Sequence, residues 1–235
     1  MNKINTIAFI PARGESQRFP KKNIANFLGK PLISYPIKEA ISSNVFDSII
    51  VSTENRKISE IAKKYGAEVT KRSFKSASNT AHELEACKEY FVGLKKKNKL
   101  LPDFFCVIYP TAVLLKAKDF KKSYKLFISN KKIDVVMGVS KYNYHPYKSL
   151  KLNGRGYLQP LFKEKCYSRS QNYPAMYASN GTFYWHNTKR FLDKKYEGHY
   201  AKNLVGFEIE NIIPMDIDYK KDLKNLNKFY KLGRK

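Results

Sequence analysis

A run of six residues close to the N-terminus, Ile7-Ala-Phe-Ile-Pro-Ala12, is apolar almost throughout and then breaks into a loop. A strand buried on both faces reads this way, because neither of its sides alternates with water. The pattern recurs at Ile49–Val51, Phe104–Tyr109 and Asp134–Val139. Between these runs the apolar spacing changes from continuous to helical. Ile33, Ile37, Ala40 and Ile41 mark one stripe, with Pro31 expected in the first helical turn and Pro36 expected to disturb it. Ile58, Ile61, Ala62 and Tyr65 mark another, with Gly66 placed to end it. Thr80 and Glu83 fit a capping box for a helix through about Leu94, and a further helix is expected from Lys118 to Ser129. Strands separated by helices need crossovers. The expectation is therefore an α/β fold, a mostly parallel sheet with helices on both faces.

The chain has 235 residues, 43% of them hydrophobic, which suits a single domain over 1–235 with a sizeable core. From Tyr142 to Phe162 the pattern changes to aromatics, Pro146, Gly154 and Gly156, which predicts a small β insert, a candidate dimerisation arm. A last helix is expected from Tyr219 to Leu232. No apolar run reaches the roughly 20 residues that span a bilayer, and the N-terminus reads as a strand and not a leader. Cys87, Cys106 and Cys166 are too scattered for a disulfide framework or zinc site, which fits the reducing cytoplasm. His82, His145, His186 and His199 are equally scattered and read as structural.

The net charge of +25 favours anionic partners. The lysines spread along the whole chain and do not gather on one element with interleaved aromatics, so nucleic acid is not the expected partner. Cation density does peak in Pro11-Ala-Arg-Gly-Glu-Ser-Gln-Arg-Phe-Pro-Lys-Lys-Asn23. Here a strand runs into a loop whose backbone N–H groups can cradle an anion, while Arg13, Arg18, Lys21 and Lys22 can neutralise a triphosphate. The glycine spacing fits neither a Walker A loop nor a dinucleotide fingerprint. The alternative is a plain basic loop.

Near the other end stands Ile212-Ile-Pro-Met-Asp-Ile-Asp218. Residues two apart on a strand share a face, so Asp216 and Asp218 can point together and offer Mg²⁺ hard oxygen ligands beside phosphate. The alternative is a strand end with Asp218 capping the next helix. A third segment, Ser168-Arg169-Ser170-Gln171 followed by Tyr177 and Asn180-Gly181, holds donors suited to a carboxylate and hydroxyls. It could equally be a turn-rich edge with Asn180-Gly181 as a hairpin turn.

Together these residues resemble a family. Arg13-Gly14-x-Ser16 with Lys22-Asn23 after an apolar strand, then Gly29-Lys30-Pro31, Val51-Ser-Thr-Glu54, Tyr109-Pro110-Thr111-Ala112 and the closing Asp216-Ile-Asp218-x-x-x-Asp222, is similar to the acylneuraminate cytidylyltransferases. These include enzymes for sialic, pseudaminic, legionaminic and 3-deoxy-octulosonic acids. The resemblance covers nearly the whole chain and implies a nucleotide-diphospho-sugar-transferase-like sheet. It also implies transfer of CMP from CTP to an acidic nine-carbon sugar, with release of pyrophosphate, in a homodimer.

Carried over residue by residue, Arg13 and Lys22 would hold the triphosphate, and Asn23 would lie near the cytosine or ribose. Ala12, Gly14, Ser16, Arg72 and Pro110 would complete the nucleotide site. Tyr109, Thr111, Arg169, Gln171, Tyr177 and Asn180 would meet the sugar, and Asp216 and Asp218 would hold Mg²⁺. Arg13, Lys22, Asp216 and Asp218 would carry catalysis. Tyr109, where sialic-acid enzymes often have glutamine, is most like the pseudaminic-acid branch. Glu15 replaces a glycine of many relatives and is expected to point away, and Ser76-Ala-Ser-Asn-Thr80 lacks the family's aspartate. The rivals are a nucleotide-sugar glycosyltransferase, which would hold Asp-x-Asp mid-chain, and a basic nucleic-acid-binding module.

Overall fold

The computed structural model describes residues 4–78, 81–209 and 217–232. In chain order the elements are β1 (Thr6–Pro11), β2 (Asn26–Phe27), β3 (Lys30–Pro31), α1 (Ser34–Ser43), β4 (Ser48–Thr53) and α2 (Arg56–Lys64). Then come β5 (Glu68–Lys71), α3 (Glu83–Lys96), β6 (Phe104–Ile108), α4 (Ala117–Ser129) and β7 (Val135–Lys141). The last are β8 (Leu150–Leu152), β9 (Leu158–Pro160), β10 (Tyr177–Asn187), α5 (Thr188–Phe191), β11 (Leu204–Glu208) and α6 (Asp222–Leu232). Seven strands form one sheet in the order β11-β7-β10-β6-β1-β4-β5. β10 runs antiparallel to both β6 and β7, and the other pairings are parallel. This is the expected α/β architecture.

β1 shows why its sequence is apolar. Ala8 and Ile10 pack on one face of the sheet, with Ile33 just before α1, Ile37 of α1, Ile58 of α2 and Phe120 of α4. Ile7 and Phe9 pack on the other, with Ala86, Cys87 and Phe91 of α3 and Phe191 of α5. From Ile7 to Pro11 the strand is covered on both faces, which favours apolar side chains at every position. Trp185 of β10 is fully buried, and its indole N–H donates to Ser123 Oγ at 2.9 Å, so the burial leaves no orphaned donor.

Several local expectations change. Pro31 lies in the short strand β3, and α1 starts at Ser34. Pro36 therefore falls in the first helical turn, where N–H groups have no helical partner, and it disturbs nothing. Ile41 turns out of the stripe and is 40% exposed. Thr80 lies outside the described residues; the cap on α3 is His82, whose Nδ1 accepts from Leu84 N. Asn180-Gly181 is no hairpin turn but part of a bulge inside β10, with Gly181 at φ +63°. Gly66 ends α2 as expected, at φ +92°. Residues 142–162 hold the antiparallel ribbon β8–β9. All three cysteines are free, and no helix among the described residues is long and apolar enough to cross a membrane.

Candidate active site

β1 and β6 are parallel neighbours, so the loops after Pro11 and after Ile108 open at the same carboxyl edge of the sheet. β4 and β5 end at that edge too, bringing up Glu54 and Arg72. α3 returns from β5 with its N-terminal Glu83 there. The loops enclose a cleft of about 260 Å³ lined by Arg13, Ser16, Lys22, Asn23 and Arg72 together with Glu83, Tyr109, Pro110 and Thr111. Open parallel sheets bind ligands at this edge. A larger groove of about 760 Å³ lies along β5 and α3, where its lysines and carboxylates mix without converging.

The loop after β1 is held from several sides. Asn23 Nδ2 donates to Arg13 O at 2.8 Å, and Arg13 Nη1 donates to Ser78 O at 3.1 Å. Gly14 N donates to Glu54 Oε1. A Cβ on Gly14 would stand 2.6 Å from Asn55 Nδ2, so the loop can lie against the end of β4 only with glycine there. Glu15 is exposed and off the cleft. Arg72 is 4% exposed and donates to Ser76 O, yet its Nε is buried without a hydrogen-bond partner. Burial lowers its pKa, and the charge of Glu54 counters part of that effect.

The chain's C-terminal part closes the cationic end. Asp218 Oδ1 accepts from Lys22 Nζ at 3.4 Å, and Oδ2 pairs with Arg18 at 2.8 Å. Asp218 is not a helix cap. Asp222, the first residue of α6, accepts from the N–H groups of Asp218 and Tyr219 at 2.9 and 2.7 Å and so ties down the turn that leads into the helix.

A cytidylyltransferase family profile matches residues 7–234. The chain belongs to the cytidylyltransferase family. Its members are nucleotidyltransferases that move a cytidylyl group from CTP. This cytidylyltransferase is 32% identical over 231 residues to the pseudaminic acid cytidylyltransferase of Campylobacter jejuni subsp. jejuni serotype O:23/36 (strain 81-176), covering 98% of each chain. It is 31% identical over 179 residues to N-acylneuraminate cytidylyltransferase A of Danio rerio, covering 76% of this chain and 40% of that one. Among solved structures it matches a CMP:2-keto-3-deoxy-manno-octonic acid synthetase complexed with CTP. That match has a TM-score of 0.71 and 14% identity, and it covers 97% of this chain and 99% of that one.

Of the site residues expected from the sequence, Arg13, Ser16, Lys22, Asn23, Arg72, Tyr109, Pro110 and Thr111 line the cleft. Ala12 is buried at the end of β1, behind the loop, and Gly14 forms part of the loop's backbone. The third segment does not line the cleft. Arg169 and Gln171 are exposed beside a 3-10 turn at residues 170–172, and Tyr177 is 48% exposed at the start of β10. Asn180 is buried and turned inward, accepting from Thr182 Oγ1 and donating to Ser140 Oγ at 3.4 Å. Asp216 lies outside the described residues. A divalent cation of the magnesium type suits Asp218 by donor chemistry, since it is a hard oxygen ligand held beside the cationic loop after β1.

Sequence reasoning missed Glu83 as a cleft residue and treated the histidines as unrelated. The fold gathers them. Ligand-type atoms of His82, Glu83 and His199 lie within 4.8 Å of one another, and His186 hydrogen-bonds to His199. Spacings of 116 and 13 residues carry no periodicity that could announce this.

Proposed function

We propose that the chain transfers CMP from CTP to the anomeric hydroxyl of an acidic nine-carbon sugar, pseudaminic acid or a related nonulosonic acid. The observation that carries this is the convergence of Arg13, Lys22 and Arg72 on one cleft, with Asp218 at its cationic end. The similarity to the pseudaminic acid enzyme supports the choice of sugar.

In the proposed reaction the sugar oxygen forms a bond to the α-phosphorus, the bond from that phosphorus to the bridging oxygen breaks, and pyrophosphate leaves. The hydroxyl proton passes to solvent. Arg13 and Lys22 stabilise the charge that grows on the leaving pyrophosphate. In this reading Arg72, at the wall of the cleft, adds positive charge beside the nucleotide. Alignment and charge stabilisation carry most of such a phosphoryl transfer. Mg²⁺ on Asp216 and Asp218 would supply Lewis-acid polarisation of phosphate oxygens. Tyr109 and Thr111 face the sugar, and Arg169 and Gln171, on the segment between β9 and β10, close over it together with Tyr177 at the start of β10.

The enzyme works in the cytoplasm as a homodimer. The ribbon β8–β9 exposes Leu152, Tyr157 and Leu158, each more than 60% accessible, which suits an arm laid on a second copy.

The test is pyrophosphate release with CTP, Mg²⁺ and a panel of pseudaminic, legionaminic, sialic and 3-deoxy-octulosonic acids. CTP-dependent release with one acid is expected. Silence across the panel, with no CTP binding by calorimetry, would overturn the reading.

A further inference from the structure

Behind Tyr109 runs a chain of hydrogen bonds, part-buried at Glu83 and buried between its two histidines, that CMP transfer leaves unused. Tyr109 Oη donates to Glu83 Oε1 at 2.7 Å, and His199 Nε2 lies 2.8 Å from the same oxygen. His199 Nδ1 is 3.0 Å from His186 Nε2, and His186 Nδ1 is 2.6 Å from Tyr196 Oη. His186 is fully buried and His199 is 5% exposed, with Tyr184 stacked on it at 3.7 Å.

Every proton in this chain has one allowed place. Burial pushes the Glu83 carboxyl up, but the hydrogen bonds from His199 and Tyr109 outweigh this and draw it down to about 2, so it is an acceptor only. His199 must therefore carry its proton on Nε2. Burial keeps both imidazoles neutral by lowering their pKa values. A neutral ring protonated on Nε2 accepts at Nδ1, so His186 also carries Nε2–H, and Tyr196 donates to its Nδ1. The same rule applies at Tyr109. Its single proton goes to Glu83, and the Tyr184 hydroxyl also lies against Oη, so what Oη has left to offer the cleft is a lone pair and no proton.

We propose that Glu83 is a positioning residue for sugar recognition, drawing the Tyr109 proton inward so that Tyr109 accepts a hydrogen bond from the sugar acid. The group selected at that point is a donor, a hydroxyl or the N–H of an acylamino substituent. This rests on the reading that Tyr109 meets the sugar.

Two measurements test this. Nitrogen-15 NMR of the histidine rings in the full chain should show His186 and His199 neutral and protonated on Nε2 between pH 6 and 8. A charged ring or an Nδ1–H tautomer at His199, which a metal on its Nε2 would also require, overturns the proton order and the proposal with it. Kinetics of Tyr109→Phe and Glu83→Gln should then show the sugar-acid KM raised about tenfold, the effect of one lost hydrogen bond. The CTP dissociation constant should stay within twofold. A merely structural Glu83 would lower stability and leave that KM alone, and this outcome also overturns the proposal. Tyr109→Phe keeps the Glu83–His199 pair and decides the matter if Glu83→Gln fails to fold. An active wild type with unshifted variants sinks only this inference. A wild type silent with every acid removes the proposed sugar, and the inference falls with it.

Discussion

Lys22 Nζ lies 3.4 Å from Asp218 Oδ1, across 196 residues of chain. The carboxylate sits at the cationic end of the proposed phosphate site and, with Arg18 on its other oxygen, holds two cations that a triphosphate would otherwise claim. Asp218→Asn should therefore separate binding from turnover. CTP binding without divalent metal, read by calorimetry, should tighten about threefold to fivefold, the scale of a partly exposed ion pair released to the ligand. Pyrophosphate release with metal should fall by about a hundredfold or more. Unchanged turnover would remove Asp218 from the site.

Gly14 lies close against the end of β4. An added methyl would meet Asn55 Nδ2 at 2.6 Å, Asn55 Cβ at 2.8 Å and Glu54 Oε1 at 3.0 Å. Gly14→Ala should cost about 1–3 kcal/mol in urea unfolding, the usual range for a forced contact, and weaken CTP binding as the loop shifts. Wild-type stability and affinity together would show that the loop yields freely.

Stability should fall on acidification in two stages. The His186 and His199 pKa values are lowered from 6.5 by burial, so the unfolded rings take up protons below 6.5 that the folded rings refuse. The Glu83 pKa falls from 4.5 to about 2, so between those values the unfolded state again binds more protons. Both contributions are present at neutral pH and are lost as pH falls. Facing Glu83 are Tyr109, His199 and, 3.6 Å from Oε2, His82. The urea midpoint should decline from pH 7 and more steeply below 4.5, and Glu83→Gln should flatten the lower limb while lowering the His199 pKa further, since Glu83 holds that pKa up.

The ribbon β8–β9 carries the exposed apolar surface assigned to a second copy. Replacing Leu152, Tyr157 and Leu158 together by lysine should convert a dimer into a monomer by sedimentation, with thermal stability of the monomer's own core kept. A wild type that sediments as a monomer would refute the arm.

How far the sequence reached is clear from particular elements. β1, β4, β6 and β7 stood out because strands buried on both faces leave continuous apolar runs, and α2 stood out through its stripe and its terminal Gly66. The start of α1 was misplaced because Pro31 suits a first helical turn and an extended strand equally, and the pairing of β2 with β3 decided between them.

Local order alone determined the strand-helix alternation, the cationic loop after β1 and the Asp-x-Asp near the end, since each is written in neighbouring residues. Tertiary structure decided which of these meet. The parallel pairing of β1 with β6 set Arg13 across from Tyr109, and the last segment folded back to bring Asp218 to Lys22. Glu83, His186 and His199 came together from three separate elements, and their protons acquired a direction only there. Burial removes water as the alternative partner, so each group must satisfy the next.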